Sequence, residues 1–199
     1  MKSEISNIDL VYLWVDGNDP KWQAKRNAFL ESKVENSLSS FNGRYVNNDE
    51  LKYSLRSVER YAPWIRKIFI VTDDQTPEWL DIENPKIKII DHKEILPAES
   101  LPCFNSNVLE HFLYKISNLS EYFILSNDDT FFNKIVSPTT FFGKDGFPII
   151  RLTRKPFRRF RWFLREQIFK KPHKLYSKAL FNAAELVKQK FGFFYNGLT

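Results

Sequence analysis

With 199 residues, 43% of them hydrophobic and 27% charged, the chain has the size and balance of one well-packed domain plus an appendage. Its single cysteine, Cys103, excludes an intramolecular disulfide and any multi-cysteine zinc site, and no stretch approaches the ~20 apolar residues that span a bilayer. The net charge of +6 is local: residues 151–174 hold ten Lys or Arg against one acid, Glu166, so the remainder is slightly acidic and overall basicity is no argument for nucleic acid.

Residues 1–17 contain only a short apolar run, broken by Asp9 and lacking a basic lead, unlike a secretory signal. The expectation is a cytoplasmic protein, at most peripheral at the inner face of the membrane. IDLVYLWV at 8–15 is β-branched and aromatic, and short enough for a buried strand. After the turn DGNDP, Pro20 suits a first helical turn with Asp19 as N-cap, predicting a helix from 21 to about 38. Asn47 or Asn48 then reads as the cap of a second helix over DELKYSLRSVERYA, with Leu51, Leu55 and Val58 on its apolar face.

KIFIVT at 67–72 and IKII at 87–90 read as strands, NVLEHFLYKI at 107–116 as a helix, and 122–125 as another short buried strand. Strands alternating with helices predict an α/β core with a mainly parallel sheet over residues 1–145. A basic, aromatic-rich helical extension follows over 146–199, including an amphipathic helix at about 174–191.

Three strands run into acids: Asp16 after the first, Asp73 and Asp74 after the second, and Asp128 and Asp129 after the last. In open α/β sheets ligands collect beyond the carboxyl ends of the strands, so these acids are expected to converge on one edge. The stretch LSNDDTFF at 125–132 has two readings. Asn and Asp are ordinary turn residues. The same NDD also suits a divalent cation, since Mg²⁺ is commonly held by one or two carboxylates plus substrate phosphates.

Other chemistries find little support. Six scattered glycines form neither a dinucleotide fingerprint nor a P-loop, and His92, His111 and His173 lack metal-ligand spacing. No nucleophile elbow occurs. Glu110 lies about one turn beyond Asn105 and Ser106, which are either plain cap residues or members of a crevice. Arg56 either clamps a phosphate or pairs with Asp49 or Glu59 on its own helix.

IDLVYLWVDGNDPKW at 8–22, RYVNNDELKYSLRSVERYAPWIRKIFIVTDDQTPEWLD at 44–81 and LPCFNSNVLEHFLYKISNLSEYFILSNDDTFF at 101–132 resemble the first two signature regions of the Stealth family. That family comprises bacterial capsular polysaccharide phosphotransferases and the catalytic subunit of the animal GlcNAc-1-phosphotransferase. The resemblance implies a Rossmann-like nucleotide-sugar transferase core. It also implies transfer of a hexose-1-phosphate from a nucleotide-diphosphate sugar to a glycan or capsule-polymer hydroxyl, with Mg²⁺ or Mn²⁺.

Carried over by position, Trp14, Asp16 and Gly17 match the family's W-V-x-G turn near the nucleotide, and Arg56 its S-L-R-S helix. Asp73 and Asp74 match its strand-end acids, Asn105, Ser106 and Glu110 its N-S-x-x-x-E helix start, and Asn127, Asp128 and Asp129 its N-D-D. Asp128 and Asp129 would then hold the metal, with Asp16, Asp73 and Glu110 as candidate bases. Asn107 stands where many members have His, and the chain stops at FFYNGLT, about where a third signature region begins. The expectation is a truncated product, a fragment or half of a split enzyme.

Two rivals are a metal-dependent glycosyltransferase that releases UDP, and a non-catalytic nucleotide-sugar or glycan-binding remnant. For residues 151–174, Arg alternating with Phe and Trp suits an anionic membrane surface, a plain solvated helix or an anionic acceptor polymer. No nucleic-acid recognition motif accompanies the basic run.

Overall fold

The computed structural model describes residues 7–32, 45–149 and 164–168, with residues 182, 183, 186, 189 and 190. The chain divides into two units, Met1–Pro148 and Ile149–Thr199. The first is built on four strands, β1 (Ile8–Leu13), β2 (Ile68–Thr72), β3 (Ile87–Asp91) and β4 (Tyr122–Asn127), in the order β3-β2-β1-β4 and all parallel. Strand β1 runs in register with β2 (Leu10 beside Ile68) and with β4 (Ile8 beside Tyr122).

The two central strands are buried along almost their whole length and apolar except at Asp9 and Thr72, because both of their faces are covered, as parallel sheets require. One face carries Leu10, Tyr12, Ile68 and Ile70 under Leu51, Val58 and Ala62 of the segment 50–62. The other carries Val11, Phe69 and Val71 under Ile95, Leu109, Leu113 and Ile116. The outcome is the expected α/β, Rossmann-like core, three layers deep.

Helix α1 (Pro20–Ser32) starts as anticipated, with Asp19 Oδ1 accepting from Lys21 N at 2.8 Å; residues 33–38 of its expected run lie outside the described residues. Helix α2 (Glu50–Tyr61) departs from expectation at its start. Its cap is Asp49 in the left-handed region (φ 64°), without a side-chain cap bond, and neither Asn47 nor Asn48 takes that place. Asn47 instead closes the preceding turn by accepting from Asp49 N at 3.0 Å, while Glu50 accepts from Asn48 N at 2.7 Å.

Two short helices follow, α3 (His92–Ile95) and α4 (Ser106–Phe112). Asn105 caps α4, its Oδ1 accepting from Asn107 N at 3.0 Å, and a 3₁₀ turn over Leu113–Lys115 completes the helical stretch expected to reach 116. Helix α3 was not anticipated. It is held by a capping box in which Asp91 accepts from Lys93 N and Glu94 accepts from Asp91 N, each at 2.8 Å.

Asp9, which interrupts the apolar run of β1, is wholly buried and structural: Arg66 Nε at 2.9 Å and Ser120 N at 2.7 Å donate to it. In the second unit the described residues include a π-helical stretch, Leu164–Ile168, and exposed helical positions such as Leu186. Most of the basic segment 151–174, and most of the amphipathic helix expected at 174–191, fall outside the described residues. Among the described residues no helix is long and apolar enough to cross a membrane.

Candidate active site

Because all four strands are parallel, they end on one edge of the sheet. Strands β1, β2 and β3 succeed one another in one direction, and β4 lies on the far side of β1, so the order reverses between β1 and β4. That reversal is the topological switch point, where the two connections diverge and leave a crevice. A cleft of about 860 Å³ lies there, walled by Leu13, Trp14 and Val15 at the end of β1 and by Asn127, Asp128 and Asp129 at the end of β4.

Asn105 and Ser106, at the start of α4, line the same cleft. So do His92, Cys103 and an aromatic flank made by α1 and two loop residues. In that flank Trp22 meets Tyr45 at 5.0 Å and Phe104 at 5.5 Å between ring centroids, and the Arg26 guanidinium lies 4.9 Å over Tyr45.

The NDD stretch forms the turn of its first reading. Thr130 N donates to Asn127 O at 3.2 Å, closing a turn, and that turn carries both aspartates onto the cleft wall. Burial pushes the Asp128 carboxyl above the usual carboxylate range, and the neighbouring Asp129 and Glu50 charges push the same way. Clustered carboxylates on a partly dry wall favour a cation. Among the described residues no group of three or more His, Cys, Asp or Glu is arranged to hold a metal ion. Two carboxylates would therefore need oxygens from a ligand to complete a coordination shell.

Six of the sequence candidates thus come together: Trp14, Asn105, Ser106, Asn127, Asp128 and Asp129. The others do not line this cleft. Gly17 is buried beneath Tyr45, where an added Cβ would lie 1.9 Å from Tyr45 O, so glycine is required there by close backbone approach. Asp16 is engaged in its own turn, its Oδ1 accepting from Asn18 N at 2.9 Å and its N–H donating to Gln75 Oε1 at 2.8 Å. Arg56 lies along a different, apolar cleft of about 570 Å³ with Lys52, Leu55, Trp79 and Ile87.

Glu110 is exposed on α4 and does not line the cleft. Asp74 sits in the left-handed region, its N–H donating to Asp91 Oδ2 at 2.7 Å. Asp73 is buried behind the cleft wall in an ion pair with Lys25 of α1.

Sequence reasoning passed over His92, Lys25 and the Trp22–Tyr45–Phe104 flank. His92 has a usable signal, since it follows Asp91 at the end of a strand, whereas its spacing from the other histidines speaks only against zinc. The aromatic flank had none, because its members are far apart in sequence. Burial pushes the Cys103 thiol up, which makes it a poor nucleophile at neutral pH.

Residues 6–34 match conserved region 1 of the Stealth proteins and residues 44–150 match conserved region 2. The chain is 44% identical over 142 residues to an exopolysaccharide phosphotransferase of Lactiplantibacillus plantarum, covering 71% of this chain and 41% of that protein. It is 46% identical over 151 residues to a capsular polysaccharide phosphotransferase of Haemophilus influenzae, covering 74% and 41%. A capsular polysaccharide phosphotransferase of Streptococcus pneumoniae is 42% identical over 146 residues, covering 72% and 44%. The chain spans about two fifths of the length of these relatives. With conserved region 1 forming β1 and α1, and conserved region 2 supplying the remaining strands and the acidic turn, the chain belongs to the Stealth protein family.

Proposed function

We propose that the chain works in capsule or exopolysaccharide synthesis, transferring a hexose-1-phosphate, in the first instance an N-acetylhexosamine phosphate. The donor is a nucleotide-diphosphate sugar and the acceptor a glycan hydroxyl; a phosphodiester forms and the nucleoside monophosphate leaves. The observation that carries this reading is the meeting of Asp128 and Asp129 with Trp14, Asn105, Ser106 and Asn127 in one cleft at the switch point. The reaction class draws further support from relatives named as polysaccharide phosphotransferases.

Asp128 and Asp129 would hold Mg²⁺ or Mn²⁺; burial chiefly, with the Asp129 and Glu50 charges beside it, raises the Asp128 carboxyl, and a cation would offset both. A bound ion there would neutralise diphosphate charge, the main requirement of phosphoryl transfer. The chain's own residues position the reactants: the polar groups of Asn105, Ser106 and Asn127 face a charged ligand, and the Trp14 wall fixes its depth. Outside this cleft, the ten basic residues of 151–174, interleaved with Phe and Trp, suit an anionic membrane surface that would hold the enzyme near a growing polymer.

The test is a turnover assay with UDP-N-acetylhexosamine, Mg²⁺ and a glycan acceptor. UMP release with phosphodiester product is expected, and the Asp128→Ala, Asp129→Ala double variant is expected to lose about 100-fold or more in kcat. Normal turnover in that variant would sink the metal role. Release of UDP instead of UMP would identify a glycosyltransferase, and donor binding by calorimetry without product would reduce the chain to a binding module.

A further inference from the structure

Three buried polar atoms at the carboxyl ends of β2 and β3 have no hydrogen-bond partner: Thr72 Oγ1, Asp73 Oδ2 and His92 Nδ1. Leaving one such atom unsatisfied typically costs about 1–3 kcal/mol, so three together in one place call for an explanation. Their placement follows from the sheet. Thr72 and Asp91 are register partners on adjacent parallel strands, and Asp73 and His92 are the next residue on each. His92 Nδ1 stands 3.9 Å from Asp73 Oδ1, too far for a hydrogen bond but close enough that a small adjustment would make one.

The backbones beneath the pair are fixed. Asp74 N donates to Asp91 Oδ2 at 2.7 Å, tying the two strand ends together, and the Asp91–Glu94 capping box sets the start of α3 on which His92 sits. Lys25 of α1 holds the Asp73 carboxylate from the other side. Only 4% of Asp73 is exposed and it does not line the cleft, whereas His92 does.

We propose that His92 is the general base of the transfer reaction and that Asp73 is its positioning residue. This rests on the phosphotransferase reading above. Asp73 accepts from Nδ1–H and so fixes the tautomer that leaves the Nε2 lone pair for the cleft, the arrangement by which buried carboxylates orient catalytic imidazoles. The acceptor hydroxyl gives its proton to Nε2 as its oxygen forms a bond to the sugar-bearing phosphorus. The bond from that phosphorus to the leaving nucleoside monophosphate breaks, and the electron pair departs with the leaving oxygen. Asp73 stabilises the imidazolium until it returns its proton to solvent.

Burial lowers the affinity of His92 for a proton; Asp73 and Asp91 oppose this and Lys25 reinforces it, so the ring is neutral and able to accept at pH 7. Catalytic hydrogen bonds are often long before substrate binds, in keeping with the 3.9 Å gap.

Two readouts on the full chain test this. In ¹⁵N-histidine spectra, with the His92 signal assigned by its loss in His92→Gln, the wild type is expected to show the Nδ1–H tautomer at pH 7. Asp73→Asn, whose amide donates to Nδ1, is expected to turn it to Nε2–H. In turnover, His92→Gln is expected to lose about 10²–10⁴-fold in kcat with KM little changed, and to lose the acidic limb of the pH profile. An Nε2–H tautomer in the wild type overturns the dyad, as does a His92→Gln enzyme that keeps the acidic limb and kcat within threefold. If the wild-type chain forms no phosphodiester, the proposed reaction fails, and the spectra still decide the Asp73–His92 geometry.

Discussion

At Gly17 the chain leaves no room for a side chain, because Tyr45 O would lie 1.9 Å from an added Cβ. Backbone cannot swing aside as a flexible side chain can, so Gly17→Ala must displace the Tyr45 segment. That segment also builds the cleft's aromatic flank, since Tyr45 packs on Trp22 and its hydroxyl donates to Phe104 O at 3.1 Å. Gly17→Ala is expected to cost about 1–3 kcal/mol, as overpacking usually does, and to weaken binding of the proposed nucleotide-sugar donor. Urea denaturation and calorimetry check both effects; unchanged values in both would show that the close approach relaxes freely. The family resemblance marks Gly17 as a residue near the nucleotide, and the geometry supplies a different reason for it.

Among elements, α2 does most to position the acidic turn. Tyr12 OH on β1 lies 2.7 Å from Ser54 Oγ, which donates to Thr130 O at 2.6 Å, and Phe132 N donates to Ser57 Oγ at 3.0 Å. One face of α2 thus links the central strand to the segment that follows Asp128 and Asp129. Ser54→Ala removes one of the two hydroxyls, Ser54 and Ser126, that meet the buried Tyr12 hydroxyl and cuts the link to Thr130 O, an expected loss of about 1 kcal/mol. The Thr130 amide should also exchange faster with solvent, because its turn is then held from one side only. Exchange at the wild-type rate would mean that the turn is self-supporting.

This linkage was half legible in the sequence. Leu51, Leu55 and Val58 identified the apolar face of α2, but Ser54 and Ser57 gave no sign that they would tie down a turn 76 and 75 residues away. The start of α2 differs from the sequence expectation for a related reason. Asn47 has the chemistry of a cap, yet it closes the preceding turn, and Asp49 takes the cap position with a left-handed backbone.

For the whole molecule, the buried imidazole of His92 couples folding to pH. Its folded-state affinity for a proton is lowered chiefly by burial, so the unfolded chain takes up a proton near the ordinary value of 6.5 while the folded chain resists it. A depressed pKa contributes stability that is present above the unfolded value and lost as pH falls through the folded one. The denaturation midpoint is therefore expected to fall between about pH 7.5 and pH 5.5. His92→Gln, which has no proton to gain, should flatten that dependence. Equal slopes for the two proteins would show that other groups dominate.

What the sequence determined by itself is local or periodic. Apolar runs of strand length alternating with amphipathic helices dictate a parallel α/β sheet, because only covered faces accommodate strands that are hydrophobic throughout. Acids at the ends of those strands then share one edge; Trp14, Asn105, Ser106 and Asn127–Asp129, which the family resemblance singles out, line the cleft. The tertiary structure decided which strand neighbours which. The order β3-β2-β1-β4 puts the switch point between β1 and β4, bringing Asp128 and Asp129 to the cleft and leaving Asp73 behind its wall beside His92. Strand-end acids look alike in sequence, because propensity acts over a few residues; only non-local packing separates a carboxylate that lines a cleft from one that meets a lysine.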